Sequence, residues 1–287
     1  MSHPVGEFIQ HVSDTSAWVA HYRAIESERP DSLFKDPFAR ILVGDRSLSV
    51  GKMQSEASKW AHWTVVLRTY IIDQMIKDLI SKGVTTFLNL GAGLDSRPYR
   101  MNLPAEVQWI EVDFPHIIEH KRVQLEKFNP SCKLETIALD LSNRALRQSL
   151  FEELAQKHPK IAVLTEGVLP YLTEEQVSEL SEDLIRHSSF KYWICEYISE
   201  KSYRYLKDPK RMDALKNAPF QFYPQDWMGF FGERDWHLIQ SQFYTEVSEK
   251  LGRPTPMPKI FKLFEFVMGK KWAAPFKRMS GFLLWER

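Results

Sequence analysis

The sequence predicts an α/β fold with a doubly wound, Rossmann-like parallel sheet. Three observations predict this class: short apolar runs alternate with helix-like segments, a glycine-rich turn follows the first run, and an acidic residue ends the second. The first run, 85–90, leads into a Gly-Ala-Gly turn at 91–93, and the second, 107–112, leads into Asp113. Such a turn can hold a ligand, because glycine lets the backbone approach closely and the following helix offers free N–H groups.

Two helices are expected before the first strand. Residues 14–28 open on residue types that suit a helix cap, and residues 54–81 keep apolar side chains at a period of about 3.6 residues. The proline-bounded segment 29–37 is expected to be a loop. Residues 1–83 are therefore predicted to form an N-terminal helical cap.

The following part of the chain, 84–198, is predicted to form the ligand-binding core. We expect strands at 85–90, 107–112, 134–138, 160–165 and 190–197. We expect helices at about 95–102, 115–128, 143–157 and 173–188. Thr173 and Gln176 have the spacing of a capping box at the start of the last helix.

The pattern changes after residue 198. Residues 199–235 are rich in aromatic side chains, which indicates an inserted lid over a pocket, although a packed helical excursion is equally compatible. Two closing strands are expected at about 236–243 and 280–286, within a final segment 236–287. Together these parts predict a single domain over 1–287.

Composition excludes several classes of protein. The net charge of +1 argues against a dedicated nucleic-acid binder, and Cys132 and Cys195 alone make neither a disulfide framework nor a zinc site. The first residues lack the basic start and apolar core of a signal peptide, and no apolar run approaches the roughly 20 residues that span a bilayer. We expect a cytoplasmic protein without a membrane partner.

Two classes of cofactor use a glycine turn followed by an acidic strand end. A dinucleotide needs a small third residue in its fingerprint, and Ser96 makes that match loose. S-adenosylmethionine needs room for a charged amino-acid tail and acidic groups for its ammonium, which the turn with Ala92, Gly93 and Asp95 supplies better. The dinucleotide alternative, an NAD-dependent oxidoreductase, stays open.

One motif competes with this interpretation. His116, Glu119 and His120 read H-x-x-E-H, a pattern found in zinc peptidases. The motif lies in the expected helix after the second strand and has no evident third ligand. We therefore expect no metal site, although His116 can lie near the ribose or adenine of a cofactor.

Several motifs together resemble the leucine carboxyl methyltransferase family, in its bacterial O-methyltransferase branch, which is related to polyketide-tailoring methyltransferases. These motifs are NLGAGLDSRPYR, IEVDFP, ALDLS at 138–142 and TEGVLPYLT at 165–173, preceded by SDTSAWVAHYRAIESERPDSLFKDPFA. They occur in order over about 13–200. The resemblance implies a class I methyltransferase sheet and S-adenosylmethionine as the cofactor.

The resemblance also implies roles for individual residues. Arg68 would bind the methionine carboxylate, and Gly91 would lie beside the same tail. Asp113 would hold the ribose hydroxyls, while Asp140 and Leu141 would read adenine through a carboxylate and a backbone N–H. Glu166 would lie near the ammonium end of the cofactor.

The expected reaction is methyl transfer to oxygen, most simply to a carboxylate. A carboxylate is already nucleophilic at neutral pH and needs positioning rather than a general base. No nucleophile–base arrangement is evident in the sequence. Candidate groups to orient the acceptor are Tyr171, Arg23, Tyr22, Tyr197 and Tyr203.

Other assignments remain open at this point. A phenolic or alcoholic acceptor would favour a base, for which His21 and His62 are candidates only by region. A catalytically silent protein that only binds the cofactor is also compatible. The identity of the acceptor, whether a small acid, a polyketide or a peptide, and the oligomeric state do not follow from the sequence.

Overall fold

The computed structural model describes residues 15–44, 56–206, 219–253, 255–256 and 277–287, and every structural statement below concerns them. A seven-stranded sheet forms the centre of the molecule. Its strands are β1 Thr86–Leu90, β2 Gln108–Asp113, β3 Lys133–Ala138, β4 Ile161–Thr165, β5 Phe190–Ile198, β6 His237–Phe243 and β7 Ser280–Glu286. Each strand predicted from the sequence is present, with ends within about two residues.

The strand order is β3-β2-β1-β4-β5-β7-β6, with β1 to β5 parallel and β7 antiparallel to both of its neighbours. The order reverses between β1 and β4, and ligands of open α/β sheets bind at the carboxyl ends of the strands at such a point. The predicted doubly wound sheet is confirmed, and its ligand edge lies where β1, β2, β4 and β5 end.

Helices cover both faces of the sheet. The helices before β4 are α1 Thr15–Glu28, α2 Pro37–Val43, α3 Glu56–Ser81, α4 Arg97–Arg100, α5 Pro115–Leu125 and α6 Arg144–Lys157. A 3-10 turn, Leu169–Tyr171, is followed by α7 Glu174–Ile185, α8 Glu200–Leu206, α9 Trp227–Gly232 and α10 Tyr244–Lys250. None of the helices in these described ranges is long and apolar enough to span a bilayer.

The long helix α3 packs on one face of the sheet. Ile71 and Met75 of α3 are buried in one cluster with Phe87 and Trp109, whose rings stack with centroids 5.5 Å apart. Because strand side chains alternate, Leu88 on the same strand belongs to the cluster on the other face. This face explains the 3.6-residue period of the helix.

The aromatic segment covers the opposite face. Phe222, Trp227 and Phe231 are buried in the same cluster as Trp193 of β5 and Trp285 of β7. The aromatic-rich insertion is thus present, and its described part from 219 onward packs against the sheet. Movement of this segment as a lid stays a prediction.

Two helix ends show how local chemistry sets the boundaries. Thr173 and Gln176 form the predicted capping box, each side chain accepting a hydrogen bond from the backbone N–H of the other residue. The helix predicted over 95–102 is shorter, because Asn102 adopts a left-handed φ of 49° just after α4. Arg100 is therefore the last residue of α4, just before the connection to β2.

Candidate active site

The glycine turn closes tightly onto the neighbouring strand ends. Gly91 and Gly93 have φ values of +67° and +51°, which side chains rarely adopt. The backbone N–H groups of Gly91 and Ala92 donate to the carbonyl oxygen of Val112 at 2.8 and 3.2 Å. A Cβ on Gly91 would lie 2.5 Å from Cγ2 of Val168, so the loop after β4 packs directly on the turn.

Asp113 is joined to this turn. Its Oδ2 accepts from the Gly93 N–H at 2.6 Å, and its Oδ1 accepts from the Phe114 N–H at 2.7 Å. Burial raises the pKa of Asp113, and these two amides oppose that rise. Each carboxylate oxygen keeps a lone pair for a further donor, such as a ribose hydroxyl.

Arg97 is the centre of a buried ionic network that sequence reasoning missed. Its guanidinium contacts Asp73 of α3 at 2.8 Å, Asp95 at 2.9 Å and Glu166 at 2.7 Å. Burial alone would lower the pKa of Arg97, but the carboxylates, led by Asp95, raise it well above its usual value. An arginine two residues after the acidic residue of the turn was the available signal.

Asp95 is a member of this network. Its Oδ2 accepts from the Asn89 side-chain amide and from the Arg97 guanidinium, both at 2.9 Å. Burial would raise the pKa of Asp95, yet the adjacent Arg97 holds it well below its usual range. The carboxylate is therefore charged and anchored beneath the turn.

Arg68 and Glu166 form the edge of the same network. The Arg68 Nε lies 2.8 Å from Glu166 Oε1, and the Arg68 side chain keeps 17% of its surface exposed. Burial would raise the pKa of Glu166, but Arg97 and Arg68 lower it. The Arg68 side chain is thus partly exposed, whereas the Arg97 side chain is fully enclosed.

The structure places Arg23 beneath the turn. Its Nε lies 3.0 Å from Asp36 and its Nη2 donates to the carbonyl of Leu94 at 2.5 Å. The same Asp36 accepts from the Ser96 hydroxyl at 2.7 Å and caps α2 through the Ala39 N–H. The predicted contact of Arg23 with an acceptor is untested; its side chain is buried and its charge is paired.

Tyr22 lies on α1, on the side that packs against α3. Its ring packs against the His62 ring at 5.5 Å and the His21 ring at 5.8 Å. Burial is the main cause that lowers the pKa of both histidines, so both favour the neutral form. Neutral imidazole is the form in which a histidine can accept a proton.

Tyr171 lies in the 3-10 turn after β4, at the ligand edge of the sheet. The Thr15 side chain hydrogen-bonds its hydroxyl, and the charges of Arg68 and Glu196 act on it. Burial raises the pKa of Tyr171, so its phenol stays protonated at neutral pH. The charge of Arg68 acts on Tyr171, which is consistent with a position at the ligand edge.

Tyr197 and Tyr203 belong to the aromatic part of the molecule. The Tyr197 ring contacts Trp227 and Phe243, each with centroids 5.6 Å away. The buried hydroxyl of Tyr203 donates to the carbonyl of Phe222. These contacts connect β5 and α8 to the segment around 222–227, and the expected acceptor contacts remain predictions.

Glu196 is a second residue that sequence reasoning missed. It is 5% exposed on β5, and its Oε1 accepts from the Val168 N–H at 2.9 Å. Its Oε2 is buried and has no hydrogen-bond partner among the residues described. Burial raises the pKa of Glu196 to about 7. The available signal was a carboxylate at the end of an apolar strand, as at Asp113.

Asp140 and Leu141 follow β3 at the same edge. The Leu139 N–H donates to the Asp113 carbonyl at 2.9 Å, which brings this segment beside β2. Asp140 is exposed and its Oδ1 accepts from the Ser142 N–H at 2.9 Å. The position suits contact with a ligand that extends from Asp113, and the adenine role remains a prediction.

The three residues of the H-x-x-E-H pattern lie on α5, and each side chain contacts a different partner. Glu119 pairs with Arg122 at 2.7 Å, His120 Nε2 lies 2.9 Å from the Leu42 carbonyl oxygen, and the His116 ring stacks on Phe114. Within the described ranges, no group of three or more His, Cys, Asp or Glu side chains is arranged to hold a metal ion.

The residues at this edge fit the charged ends and the hydroxyls of S-adenosylmethionine. Arg68 offers an accessible cation for a carboxylate, and the carboxylate of Glu166 lies beside it for an ammonium. Asp113 offers acceptor lone pairs for hydroxyls, next to a turn whose glycines leave no side chain in the way. Asp113, the glycine turn and Glu166 follow the ends of β2, β1 and β4, which are neighbours in the sheet.

Curated relatives support the same class. The chain is 26% identical over 262 residues to a protein of Frankia alni named as a candidate S-adenosyl-L-methionine-dependent methyltransferase, covering 85% of this chain and 90% of the relative. It is 30% identical over 272 residues to a protein of Mycobacterium avium with the same description, covering 85% of both. These relatives extend beyond the core into the region after 198.

Solved structures share the fold at low sequence identity. A DUF574 family protein from Streptomyces avermitilis matches with a TM-score of 0.56 and 11% identity, over 93% of this chain and 96% of that one. A candidate methyltransferase from Thermobifida fusca matches with a TM-score of 0.53 and 14% identity, over 94% of both chains. These likenesses confirm the architecture.

The family model described as leucine carboxyl methyltransferase matches residues 16–185, which include the cap helices α1, α2 and α3 and the sheet as far as β4. The match covers more than half of the 287 residues. It confirms the family resemblance and the predicted enzyme class. The chain belongs to the leucine carboxyl methyltransferase family and is an S-adenosylmethionine-dependent methyltransferase.

Proposed function

We propose that this methyltransferase transfers a methyl group to the oxygen of a carboxylate and forms a methyl ester. When bound, S-adenosylmethionine supplies a methyl group on a sulfonium sulfur, and transfer exchanges a C–S bond for a C–O bond. The observation that carries the proposal is the meeting of the glycine turn, Asp113 and the Arg68–Glu166 pair at one sheet edge. We place the reaction in the cytoplasm, because both cysteines are free and buried.

Each of these residues would contact a different part of the cofactor. Arg68 binds the methionine carboxylate, and Glu166 with the turn at 91–93 lies beside the ammonium end. Asp113 accepts hydrogen bonds from the ribose hydroxyls, and Asp140 with the Leu141 N–H reads the adenine. Asp95 acts through Arg97, which it holds in place beneath the turn.

A carboxylate acceptor fits the available chemistry. It is ionised at neutral pH and needs positioning, which contributes about 7–11 kcal/mol in favourable cases. The Tyr171 phenol stays protonated and can donate a hydrogen bond to an anion. The family description names a carboxyl acceptor for its members, which supports the same acceptor here.

A phenolic or alcoholic hydroxyl is the second candidate, and one observation favours it. Such an acceptor must lose a proton as it is methylated, so it benefits from a base with a pKa near the working pH. Glu196 has a pKa of about 7 and an Oε2 without a partner in the described part of the chain. The two candidates therefore differ in what Glu196 does.

The chemical stability of the product separates the two acceptors. The protein is incubated with S-adenosylmethionine carrying a labelled methyl group and with matched pairs of probes, such as phenylacetate and 4-methylphenol. We expect label on the carboxylic acids, released as methanol by mild alkali, because methyl esters hydrolyse and methyl ethers do not.

The Asp113→Ala variant serves as the control, since loss of cofactor binding removes enzymatic label but not chemical background. Label that survives alkali identifies an ether or an N-methyl product and contradicts the carboxylate proposal. The methyltransferase class would survive that result.

A further inference from the structure

We infer that Glu196 contacts the methyl acceptor: in its protonated form it donates a hydrogen bond from Oε2 to the acceptor carboxylate. The inference rests on the proposed function and names the residue that recognises the acceptor. None of the cofactor assignments above uses Glu196. Glu196 is 5% exposed, and its Oε2 has no hydrogen-bond partner among the described residues.

The position of Glu196 links it to the reacting region. It lies on β5 next to β4, and its Oε1 is held by the Val168 N–H at 2.9 Å. The Val168 side chain packs against the point where a Cβ of Gly91 would be. One residue therefore separates Glu196 from the glycine turn, on the side of the sheet edge away from Asp113.

Leaving a buried polar atom without a partner is costly, at about 1–3 kcal/mol. Native structures keep few such atoms, and those in a ligand crevice are candidates for contact with a ligand. Oε1 is satisfied by a backbone donor, which fixes the rotamer and leaves Oε2 as the free end. The orphaned atom is thus presented by a rigid strand rather than by a flexible loop.

The charged and titratable groups around Glu196 come from four elements. Burial raises the pKa of Glu196 and outweighs the groups that lower it, which are the backbone amides of Glu196 itself and of Val168, followed by Arg68 of α3 and the Gly167 amide. Tyr171, Tyr203 and Tyr244 face it from the 3-10 turn, α8 and α10, and each has a pKa raised by burial. Arg68 is already paired with Glu166, so the surroundings favour a neutral Glu196.

A neutral carboxyl suits a carboxylate acceptor. A protonated Oε2–H would donate a short, charge-assisted hydrogen bond to the acceptor oxygen that is not methylated. An ionised Glu196 would repel the same acceptor, because two carboxylates at one site cannot both stay charged cheaply. The proton remains on Glu196 throughout, so methyl transfer requires no proton movement.

The test uses the S-adenosylhomocysteine-loaded protein with acetate as the carboxylate probe. The ¹³Cδ resonance of Glu196, assigned by its loss in Glu196→Gln, should titrate near pH 7 and move when acetate is added. Acetate affinity should fall about tenfold from pH 6 to pH 8, because the protonated fraction falls by that factor around a pKa of about 7. Glu111 is the internal control: it is also buried, has a raised pKa and has an unpartnered Oε1 among the described residues, but its Oε2 is paired with Lys121, and acetate should not move its resonance.

The Glu196→Gln variant tests whether protonation of Glu196 causes the dependence of activity on pH. Glutamine keeps an acceptor for the Val168 N–H and a donor for the substrate, so methylation of an acid found in the label screen should persist and lose its decline between pH 6 and pH 8. Calorimetry should show unchanged affinity for S-adenosylhomocysteine.

Three results would overturn the inference. The first is a Glu196 resonance that does not move when acetate is added, and the second is a tenfold or greater loss of S-adenosylhomocysteine affinity in Glu196→Gln. The third result is that Glu196→Gln is inactive while the activity of the unmodified protein rises with pH. The last result would make Glu196 a general base. Each is separable from failure of the proposed function, which the alkaline stability of the product decides.

Discussion

Two aspartates that lie 18 residues apart in the sequence illustrate how strongly the surroundings of a side chain decide its behaviour. Asp95 and Asp113 flank the same turn and both are buried. Arg97 holds the pKa of Asp95 low, whereas burial raises the pKa of Asp113 and outweighs both its two backbone amides and the charge of Lys121. Asp95 therefore acts as a fixed ion of the framework, and Asp113 keeps capacity for a ligand.

Asp113→Ala should weaken the binding of S-adenosylhomocysteine by about 10- to 150-fold, which corresponds to roughly 1.5–3 kcal/mol for a lost charged acceptor. Calorimetry measures this affinity directly. Urea unfolding serves as the control, because the variant also removes the anchor of the Gly93 N–H. Parent-like affinity in the variant would mean that Asp113 is not the ribose ligand.

At the scale of elements, the β1 turn and the loop after β4 form one packed unit. Gly91 has a left-handed φ and its missing side chain makes room for Val168. Val168 in turn donates its N–H to Glu196 of β5. The ends of three parallel strands are thus held at fixed distances by one glycine and one valine.

Gly91→Ala should destabilise the protein more than Gly83→Ala. Both glycines have positive φ, at +67° and +79°, but a Cβ at Gly83 meets open space. Strained backbone alone costs about 1–2 kcal/mol, and the contact with Val168 adds about 1–3 kcal/mol. Urea unfolding of the two variants gives the comparison, and equal losses would mean that the Val168 contact carries no cost.

The companion variant Gly91→Ala with Val168→Ala should recover part of the loss, because it removes the overlapping methyl group. S-adenosylhomocysteine affinity should fall in Gly91→Ala and stay at the parent value in Gly83→Ala. This second readout separates damage to the turn from a general loss of stability.

At the scale of the whole molecule, ion pairs connect the helical cap to the sheet. Arg97 and Arg100 both contact Asp73 of α3, and Arg100 also lies 3.7 Å from Asp36 at the start of α2. Asp36 continues the network to Arg23 of α1. The cap is therefore joined electrostatically to the strand ends that form the ligand edge.

Acid should weaken this connection. Burial would raise the pKa of Asp73, but Arg100 and Arg97 lower it. The pKa values of Asp95 and Glu166 are lowered too. Carboxylates with a lowered folded pKa stabilise the fold above their unfolded values and lose that contribution as the pH falls. The free energy of unfolding should thus drop below about pH 4.5, the usual value for a glutamate. Glu196 acts in the opposite direction: because its pKa is raised from 4.5 to about 7, its contribution is present at low pH and is lost as the pH rises from about 4.5 to about 7.

Asp73→Asn should remove part of this acid dependence and cost about 3–5 kcal/mol at neutral pH, because two buried guanidiniums lose a charged partner. The matched control is Glu119→Gln, which breaks the exposed pair with Arg122 and should leave stability nearly unchanged. Urea titrations at several pH values measure both. An acid profile in Asp73→Asn that equals the parent profile would contradict the structural role given to the network.

The sequence by itself determined the class of sheet, the position of its glycine turn and the family. Those features are local or periodic: apolar runs mark buried strands, Gly91 marks the turn, and Thr173 with Gln176 marks a helix start. Local hydrogen bonding and burial on one face impose such patterns on neighbouring residues. These features can therefore be read from the sequence without information about contacts between distant residues.

Only the tertiary structure decided which charged residues are paired. Arg23 and Arg68 look alike in the sequence, yet the first is enclosed with Asp36 and the second is partly open beside Glu166. Glu196 becomes distinctive only because strand pairing places it beside Val168, far along the chain from Gly91. Burial and pairing depend on residues brought together from separate elements, and they set the charge state on which the chemistry of this site depends.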